Sequence, residues 1–102
     1  MARLLDLIES SEEFEWDEGN QEKNWKTHRV TTQEVEEAFA NVPLAIAEDT
    51  KHSLQEVRYW LLGQTDMGRK LFMSFTIRNH NIRVISARDQ SRKERSSYEQ
   101  TI

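Results

Sequence analysis

Apolar and polar residues alternate along three stretches in the second half of the chain, and this pattern predicts β-strands. The stretches are "VRYWLLG" from Val57, "KLFMSFTIR" from Lys70 and "NIRVISAR" from Asn81. Two shorter stretches, "FEWD" from Phe14 and "LAIAED" from Leu44, are predicted to be further strands. The segment "GQTDMG", which follows the first long strand, has the composition of a turn.

A polar helix is predicted directly after the first short strand. Asp17 is placed to cap this helix, which runs to about His28 and has Trp25 as its main apolar residue.

Two capping boxes mark the start of two further helices. Thr31 pairs with Glu34 in the first box, and the apolar residues that follow have helical spacing. Ser91 pairs with Glu94 in the second, which opens a helix to about Gln100. This last helix has almost no apolar stripe, so it is expected to lie on a surface or to bind a partner.

Together these elements predict an α+β fold, with a small, mainly antiparallel β-sheet, two N-terminal helices and a C-terminal helix. A chain of 102 residues has room for one domain. Residues 14–102 are expected to form that domain. Residues 1–13 are expected to be an N-terminal extension, either a short amphipathic helix or a frayed tail.

The two last strands are joined by Asn79-His80, which suits a two-residue hairpin loop because asparagine tolerates a positive φ. The loop sets the register of the hairpin: Arg78 opposite Asn81, Thr76 opposite Arg83, and Ser74 opposite Ile85. Side chains alternate across a sheet, so one face is predicted to be the core. It consists of Leu71, Met73, Phe75, Ile77, Ile82 and Val84.

The opposite face of the hairpin is predicted to be polar and cationic. Its members are Phe72, Ser74, Thr76, Arg78, Arg83 and Ile85, and Arg58 joins them if its strand is adjacent. Guanidinium groups bind phosphate oxygens in pairs of hydrogen bonds and stay charged at any cellular pH. The alternative is that these arginines are solvated and paired with acids of the first half of the chain.

The charges are distributed unevenly along the chain. The net charge is −4, but residues 1–49 hold 13 acids and 4 bases whereas residues 50–102 hold 5 acids and 10 bases. The second half is therefore suited to meet a polyanion. The alternative is that the acidic and basic halves form two solvated faces whose charges partly neutralise each other.

The residue types present limit the possible chemistry. There is no cysteine, so neither a disulfide nor a thiolate metal site can form. No His-x-x-x-His, EF-hand loop or glycine-rich phosphate loop is present, and neither a metal nor another cofactor is expected. His52 and His80 are expected to be exposed and inert. His28 is a candidate for proton transfer, although a histidine at a helix end also serves structural purposes.

Several segments, taken together, resemble the BrnT family of bacterial type II toxins. They are "FEWDEGNQEKNWKTHRVTTQEVEEAF", "HSLQEVRYWLLG" and "IRVISARDQSRKERSSYE", and the resemblance spans Phe14 to about Glu99. It implies a fold similar to that of RelE-type ribonucleases and cleavage of RNA without a metal. It also implies neutralisation by a BrnA-like ribbon-helix-helix antitoxin, through which alone the complex binds DNA.

The resemblance and the cationic face lead to one hypothesis, a metal-independent endoribonuclease in the cytoplasm with no membrane association. Arg58, Arg78 and Arg83 would hold the phosphate, while His28 transfers a proton with Lys26 as an electrostatic helper. Three further cations are candidates for RNA binding: Arg88, Arg92 and Lys93. Arg88 has a structural alternative, an ion pair with Glu94 or Glu99. The rival hypothesis is a non-catalytic module that binds a partner protein.

Overall fold

The computed structural model describes residues 13–16 and 18–101. The elements in chain order are β1 (Glu13–Glu15), α1 (Glu18–His28), α2 (Thr32–Ala40), β2 (Ala45–Glu48), β3 (Arg58–Gln64), β4 (Lys70–Arg78), β5 (Asn81–Asp89) and α3 (Arg92–Thr101). A short 3₁₀ turn at Thr50–His52 precedes β3. The predicted cap at Asp17 and nearly all of the predicted N-terminal extension lie outside the described residues.

The strands form one five-stranded sheet in the order β1-β5-β4-β3-β2. Neighbours from β5 to β2 are antiparallel, and only β1 pairs in parallel, with Phe14 opposite Ile82. The predicted α+β class and mainly antiparallel sheet are thus confirmed. The hairpin loop also forms as predicted, because Asn79 and His80 both adopt a positive φ, of 49° and 65°.

The predicted register of the hairpin is right near the loop and wrong beyond it. Arg78 pairs with Asn81 and Thr76 with Arg83, but Ser74 pairs with Ser86 instead of Ile85. Ile85 is the extra residue of a β-bulge, which shifts every later pair by one position. The bulge allows both Val84 and Ala87 to point into the core, where each is fully buried.

The core lies on one side of the sheet, hereafter the inner face, and is covered by α1 and α2. Its fully buried members on the sheet include Leu61, Leu71, Met73 and Phe75, in agreement with the predicted core face. Phe39 of α2 packs edge-to-face on Phe75, with 5.0 Å between ring centroids. Helix α2 approaches so closely that a Cβ on Gly63 would lie 2.7 Å from the Ala38 carbonyl oxygen.

Local hydrogen bonds fix the end of α1 and the start of α2. At the start of α2 the Thr31 side chain accepts from the Glu34 N–H at 3.1 Å, and the Glu34 carboxylate accepts from the Thr31 N–H at 3.0 Å, as the capping box predicts. At the end of α1 Arg29 has a φ of 55°, and its N–H donates to the Trp25 carbonyl at 2.9 Å. Arg29 thus makes the turn that ends the helix, and its guanidinium lies 5.2 Å from the centroid of the Trp25 ring.

Asn24 closes a gap at the edge of the sheet. Strand β1 pairs with β5 only as far as Arg83, so the rest of that edge has no strand neighbour among the described residues. The buried Asn24 side chain accepts a hydrogen bond from the Ala87 N–H at 3.2 Å. Helix α1 is therefore attached to β5 by a polar contact four residues beyond the last pair between β1 and β5.

Helix α3 lies against the other side of the sheet, hereafter the outer face. Its capping box forms, with the Ser91 N–H donating to Glu94 at 2.8 Å and the Ser91 hydroxyl accepting from the Glu94 N–H at 3.2 Å. Although the helix is polar, it buries Tyr98 completely, and the Tyr98 hydroxyl donates to the Pro43 carbonyl at 2.6 Å. In the described part of the chain, none of the helices has the length and apolar character to cross a membrane.

Candidate functional site

The strand register aligns two of the predicted arginines in one row across the outer face. Arg58 on β3 is opposite Thr76 on β4, Thr76 is opposite Arg83 on β5, and Arg83 is opposite Glu15 on β1. We call these four residues the arginine row. Arg78 stands two residues further along β4 and points to the same face, because side chains alternate along a strand. The prediction that Arg58, Arg78 and Arg83 share a face agrees with this register.

Two of these three arginines form ion pairs with carboxylates. Arg78 binds both oxygens of Glu56, with nitrogen–oxygen distances of 3.0 and 3.2 Å, and Arg83 lies 3.7 Å from Glu15. The hydrogen bond from Arg78 lowers the pKa of Glu56, and the charges of Arg58 and Arg83 lower it further. All three guanidinium groups therefore act on one carboxylate, which is evidence that they are near each other.

Arg58 differs from the other two arginines in its surroundings. Among the described residues no carboxylate forms an ion pair with Arg58, and this residue is half-buried. Beside it Thr76 is buried and donates its hydroxyl hydrogen to the Val57 carbonyl at 2.7 Å. An anion that meets this row would find in Arg58 a cation with unoccupied donors.

A second row runs parallel to the first at a distance of about 7 Å, which is two residues along a strand. It consists of Ala47, Trp60, Ser74 and Ser86 on four neighbouring strands. Because the neighbours of Trp60 are small, no large side chain flanks its indole ring within this row. No functional role was predicted for Trp60 from the sequence.

A groove of about 320 Å³ separates this second row from helix α3. It is lined by Trp60, Leu62, Phe72, Lys93, Glu94 and Ser97. The Lys93 side chain is thus at the groove, whereas Arg92 is exposed at the first position of the helix. Of the predicted RNA-binding residues, Lys93 is the one that lines this groove.

Arg88, also predicted to bind RNA, has its guanidinium occupied by the protein itself. It binds both oxygens of Glu94 at 2.7 and 2.9 Å and lies 4.2 Å from the centroid of the Phe72 ring. The hydrogen bond from Arg88 lowers the pKa of Glu94 and so keeps it charged. The predicted structural alternative, an ion pair with Glu94, is the arrangement that the structure shows.

His28 and Lys26 lie away from the arginine row. His28 is the last residue of α1, and its carbonyl accepts from Arg69 at 3.0 Å at the end of the sheet where β4 begins. Arg78 is at the other end of β4, nine residues long, which corresponds to about 27 Å. Lys26 pairs with Glu22 at 2.6 Å on the exposed side of α1. The structure therefore does not bring the predicted histidine and arginines together around one point.

Arg69, which the sequence analysis did not select, organises the His28 end of the sheet. It binds Asp89 at 2.7 Å and Glu34 at 3.1 Å, and it donates to the carbonyls of His28 and Arg29 at 3.0 and 2.8 Å. It thereby connects the end of α1, the start of α2 and the end of β5. Its partners are remote in sequence, so no local spacing indicates this role.

The other two histidines differ in their surroundings. His80 is exposed at the hairpin loop, as predicted. His52 is also exposed, but its Nδ1 lies 2.8 Å from Asp49 Oδ2, and it lines a pocket of about 270 Å³ together with Leu54, Gln55, Glu56 and Arg58. His52 is thus a neighbour of the arginine row. Among the described residues, no group of three or more His, Asp or Glu side chains is arranged to hold a metal ion.

Comparison with known families agrees with these observations. Residues 16–94 match the family described as the ribonuclease toxin BrnT of type II toxin-antitoxin systems. The comparison with individual curated proteins gives no match. The matched region includes every described strand except β1 and extends into α3, so it covers most of the chain. The chain therefore belongs to the BrnT family of ribonuclease toxins.

Proposed function

We propose that this toxin cleaves RNA at the arginine row by a metal-independent reaction. The observation that carries the proposal is the alignment of Arg58 and Arg83 in one row beside Arg78, with the Arg58 donors unoccupied among the described residues. Guanidinium groups at this spacing suit a phosphodiester, which spreads its charge over two oxygens.

RNA supplies its own nucleophile in the proposed reaction. The 2′-hydroxyl attacks the adjacent phosphorus, and negative charge builds up on the phosphoryl oxygens. Arg58, Arg78 and Arg83 stabilise that charge because they are fixed on a rigid sheet before the substrate arrives. Trp60, in the neighbouring row, offers an aromatic surface on which a base can stack.

The other predicted site residues keep separate roles in the proposal. Lys93 and Arg92 contact the RNA backbone beyond the cleavage site, and Arg88 supports the groove through Glu94. The proton-transfer role of His28, with Lys26 as helper, stays a prediction. Because these two residues lie at the other end of the sheet, the variant His28→Ala measures a contribution independent of the arginine row.

The family places an antitoxin among the partners of this protein. We propose that the antitoxin is a BrnA-like ribbon-helix-helix protein and that DNA is bound only through the complex with it. The likeness to RelE-type ribonucleases and the cytoplasmic location belong to the same proposal. The ion pairs of Glu56 with Arg78 and of Glu15 with Arg83 support this proposal, because acidic groups of an antitoxin could pair with the same arginines.

The test is cleavage of a structured RNA by the purified chain in the presence of EDTA. We expect cleavage to persist under chelation, and Arg58→Ala to slow it by about a hundredfold or more. Lys23→Ala, which removes an exposed cation on α1, is the matched control and should cleave at the parental rate. Replacing the 2′-hydroxyls of the RNA by 2′-O-methyl groups should abolish cleavage.

The same assay distinguishes the rival function, a module that binds a partner without chemistry. The ion pairs of Arg78 with Glu56 and of Arg83 with Glu15 are the observation in its favour, because they occupy cations that RNA would need. Intact RNA after incubation, together with tight binding of an antitoxin, would support the rival. If cleavage stops when EDTA is added, the metal independence of the reaction is contradicted, but the assignment as a nuclease is not.

A further inference from the structure

The loop between β2 and β3 holds its first residue directly beside Arg58. The Asp49 N–H donates to the Arg58 carbonyl at 2.7 Å, which extends the antiparallel ladder by one pair beyond Glu48 and Tyr59. Directly opposite residues in such a ladder have Cβ atoms about 5 Å apart. Asp49 thus stands next to one end of the arginine row.

Ser53 fixes the conformation of this loop from inside. Its hydroxyl donates to the Asp49 carbonyl at 2.6 Å and accepts from the Arg58 N–H at 2.9 Å. The 3₁₀ turn at Thr50–His52 lies between these anchors. The position of His52 relative to Arg58 is therefore set by backbone hydrogen bonds and not by a free loop.

Asp49 orients the imidazole of His52. The two side chains meet at 2.8 Å between Nδ1 and Oδ2, and Asp49 is 23% exposed whereas His52 is 59% exposed. A carboxylate at Nδ1 favours the neutral tautomer with the proton on Nδ1, so that Nε2 carries the lone pair. That nitrogen is the one that is free to take a proton from a bound molecule.

The pocket beside this dyad contains the groups that a phosphodiester requires. Its volume is about 270 Å³, and His52 and Arg58 line it together with Leu54, Gln55 and Glu56. The Glu56 carboxylate is paired with Arg78. A single phosphate in this pocket would meet the unoccupied donors of Arg58 and the Nε2 atom of His52. His28, by contrast, lies near the start of β4, at the opposite end of the sheet.

We propose that His52 is the general base of the cleavage reaction and that Asp49 is its positioning residue. The inference rests on the proposed RNA cleavage and deepens it. His52 Nε2 takes the proton of the 2′-hydroxyl while the 2′-oxygen forms a bond to phosphorus and the bond from phosphorus to the 5′-oxygen breaks. The leaving 5′-oxygen takes a proton from water, and the imidazolium later releases its proton to solvent. The products are a 2′,3′-cyclic phosphate and a 5′-hydroxyl.

The experiment compares single-turnover cleavage of a short RNA by the full chain and by three variants. His52→Ala should lower the rate by about a hundredfold or more, the usual contribution of a general base. Asp49→Asn should give a smaller loss, because the imidazole remains but is no longer oriented. His80→Asn removes the exposed histidine of the hairpin loop with a residue that tolerates its positive φ, and should leave the rate unchanged.

Three further measurements separate chemistry from folding and binding. Added imidazole should restore part of the rate to His52→Ala but not to Arg58→Ala, which a purely structural role of His52 would not produce. Binding of a 2′-O-methyl RNA and the thermal unfolding temperature should stay near the parental values in both dyad variants. Should His52→Ala fold poorly, Asp49→Asn gives the same test with the loop intact.

The outcomes distinguish this inference from the function on which it rests. If the parent cleaves RNA and both dyad variants cleave equally fast, the inference is overturned and the arginine row remains as the site. If the parent does not cleave RNA at all, the proposed function falls and the inference falls with it. A large loss with rescue by imidazole establishes His52 as the base.

Discussion

Arg69 connects three elements through one guanidinium group. Its bond to Asp89 lowers the pKa of that carboxyl group below its ordinary value of 3.8. Burial of Glu34 works in the opposite direction, but hydrogen bonds from Thr31 and Arg69 outweigh it, and the pKa of Glu34 is also lowered from 4.5. Both carboxylates therefore favour the folded state when they are charged.

At the residue scale we predict that Arg69→Met lowers the free energy of unfolding by about 2 kcal/mol at neutral pH. A carboxyl group whose pKa is lowered by folding contributes stability above its ordinary pKa, and this contribution is lost as the pH falls through the folded value. The difference between Arg69→Met and the parent should therefore be full above about pH 5 and shrink towards about pH 3. Urea unfolding of both proteins at a series of pH values measures this difference in the free energy of unfolding. Arg92→Met, an exposed arginine, is the control, and an equal loss at every pH would contradict the prediction.

The residues also show where sequence reasoning succeeds and fails at this scale. Alternation along the strands was sufficient to place Arg58, Arg78 and Arg83 on one face, because the period of a strand is fixed by its backbone. The role of Arg69 was not accessible, since its partner Glu34 is 35 positions away in the chain. His52 is exposed, as predicted, but its contact with Asp49 and the pocket that it shares with Arg58 distinguish it from His80.

At the scale of elements, local signals predicted most of the helices and strands. Both capping boxes formed, and β4 has the predicted bounds Lys70–Arg78. The bulge at Ile85 and the parallel pairing of β1 with β5 were not predicted. The bulge depends on how the core is filled, and the pairing of β1 depends on which edge of the sheet is open. Both are properties of the assembled sheet and not of any one strand.

The outer face yields a prediction about RNA binding at this same scale. Stacking of a base on an aromatic side chain contributes about 1–3 kcal/mol, so Trp60→Ala should weaken binding of a single-stranded RNA by about tenfold or more. Trp25→Ala removes an indole that is 48% exposed on α1 and should not change the affinity. Fluorescence anisotropy with a labelled 2′-O-methyl RNA measures both variants. Equal affinities for the two variants would show that the groove beside α3 does not receive a base.

For the whole molecule, the two sides of the sheet differ in charge. The outer face carries the arginine row, whereas a groove of about 440 Å³ at α2 is lined by Glu36, Glu37 and Asp66 together with neutral residues. With a net charge of −4, the overall field repels a polyanion. Attraction therefore has to come from the outer face at short range.

This charge distribution predicts a shallow dependence of RNA affinity on salt. Each phosphate that a protein neutralises on a single strand contributes about −0.7 to the slope of log affinity against log salt, so a short RNA that reaches Arg58, Arg78 and Arg83 but not Lys93 or Arg92 gives about −2. Arg58→Ala should bring the slope to about −1.4. Titrations of a non-cleavable RNA between about 50 and 200 mM KCl measure the slope. A much steeper slope would mean that many more cations than these three arginines bind the RNA backbone.

The parallel pairing of β1 with β5 gives the arginine row a tethered competitor. Glu15 is held beside Arg83 by the backbone of the sheet, so its effective concentration at that guanidinium is high whether or not RNA is present. A ligand with one phosphate has only that phosphate with which to displace Glu15 from Arg83. A polynucleotide that also engages Arg58 and stacks a base can displace it. We therefore expect the row to bind extended chains in preference to free mononucleotides.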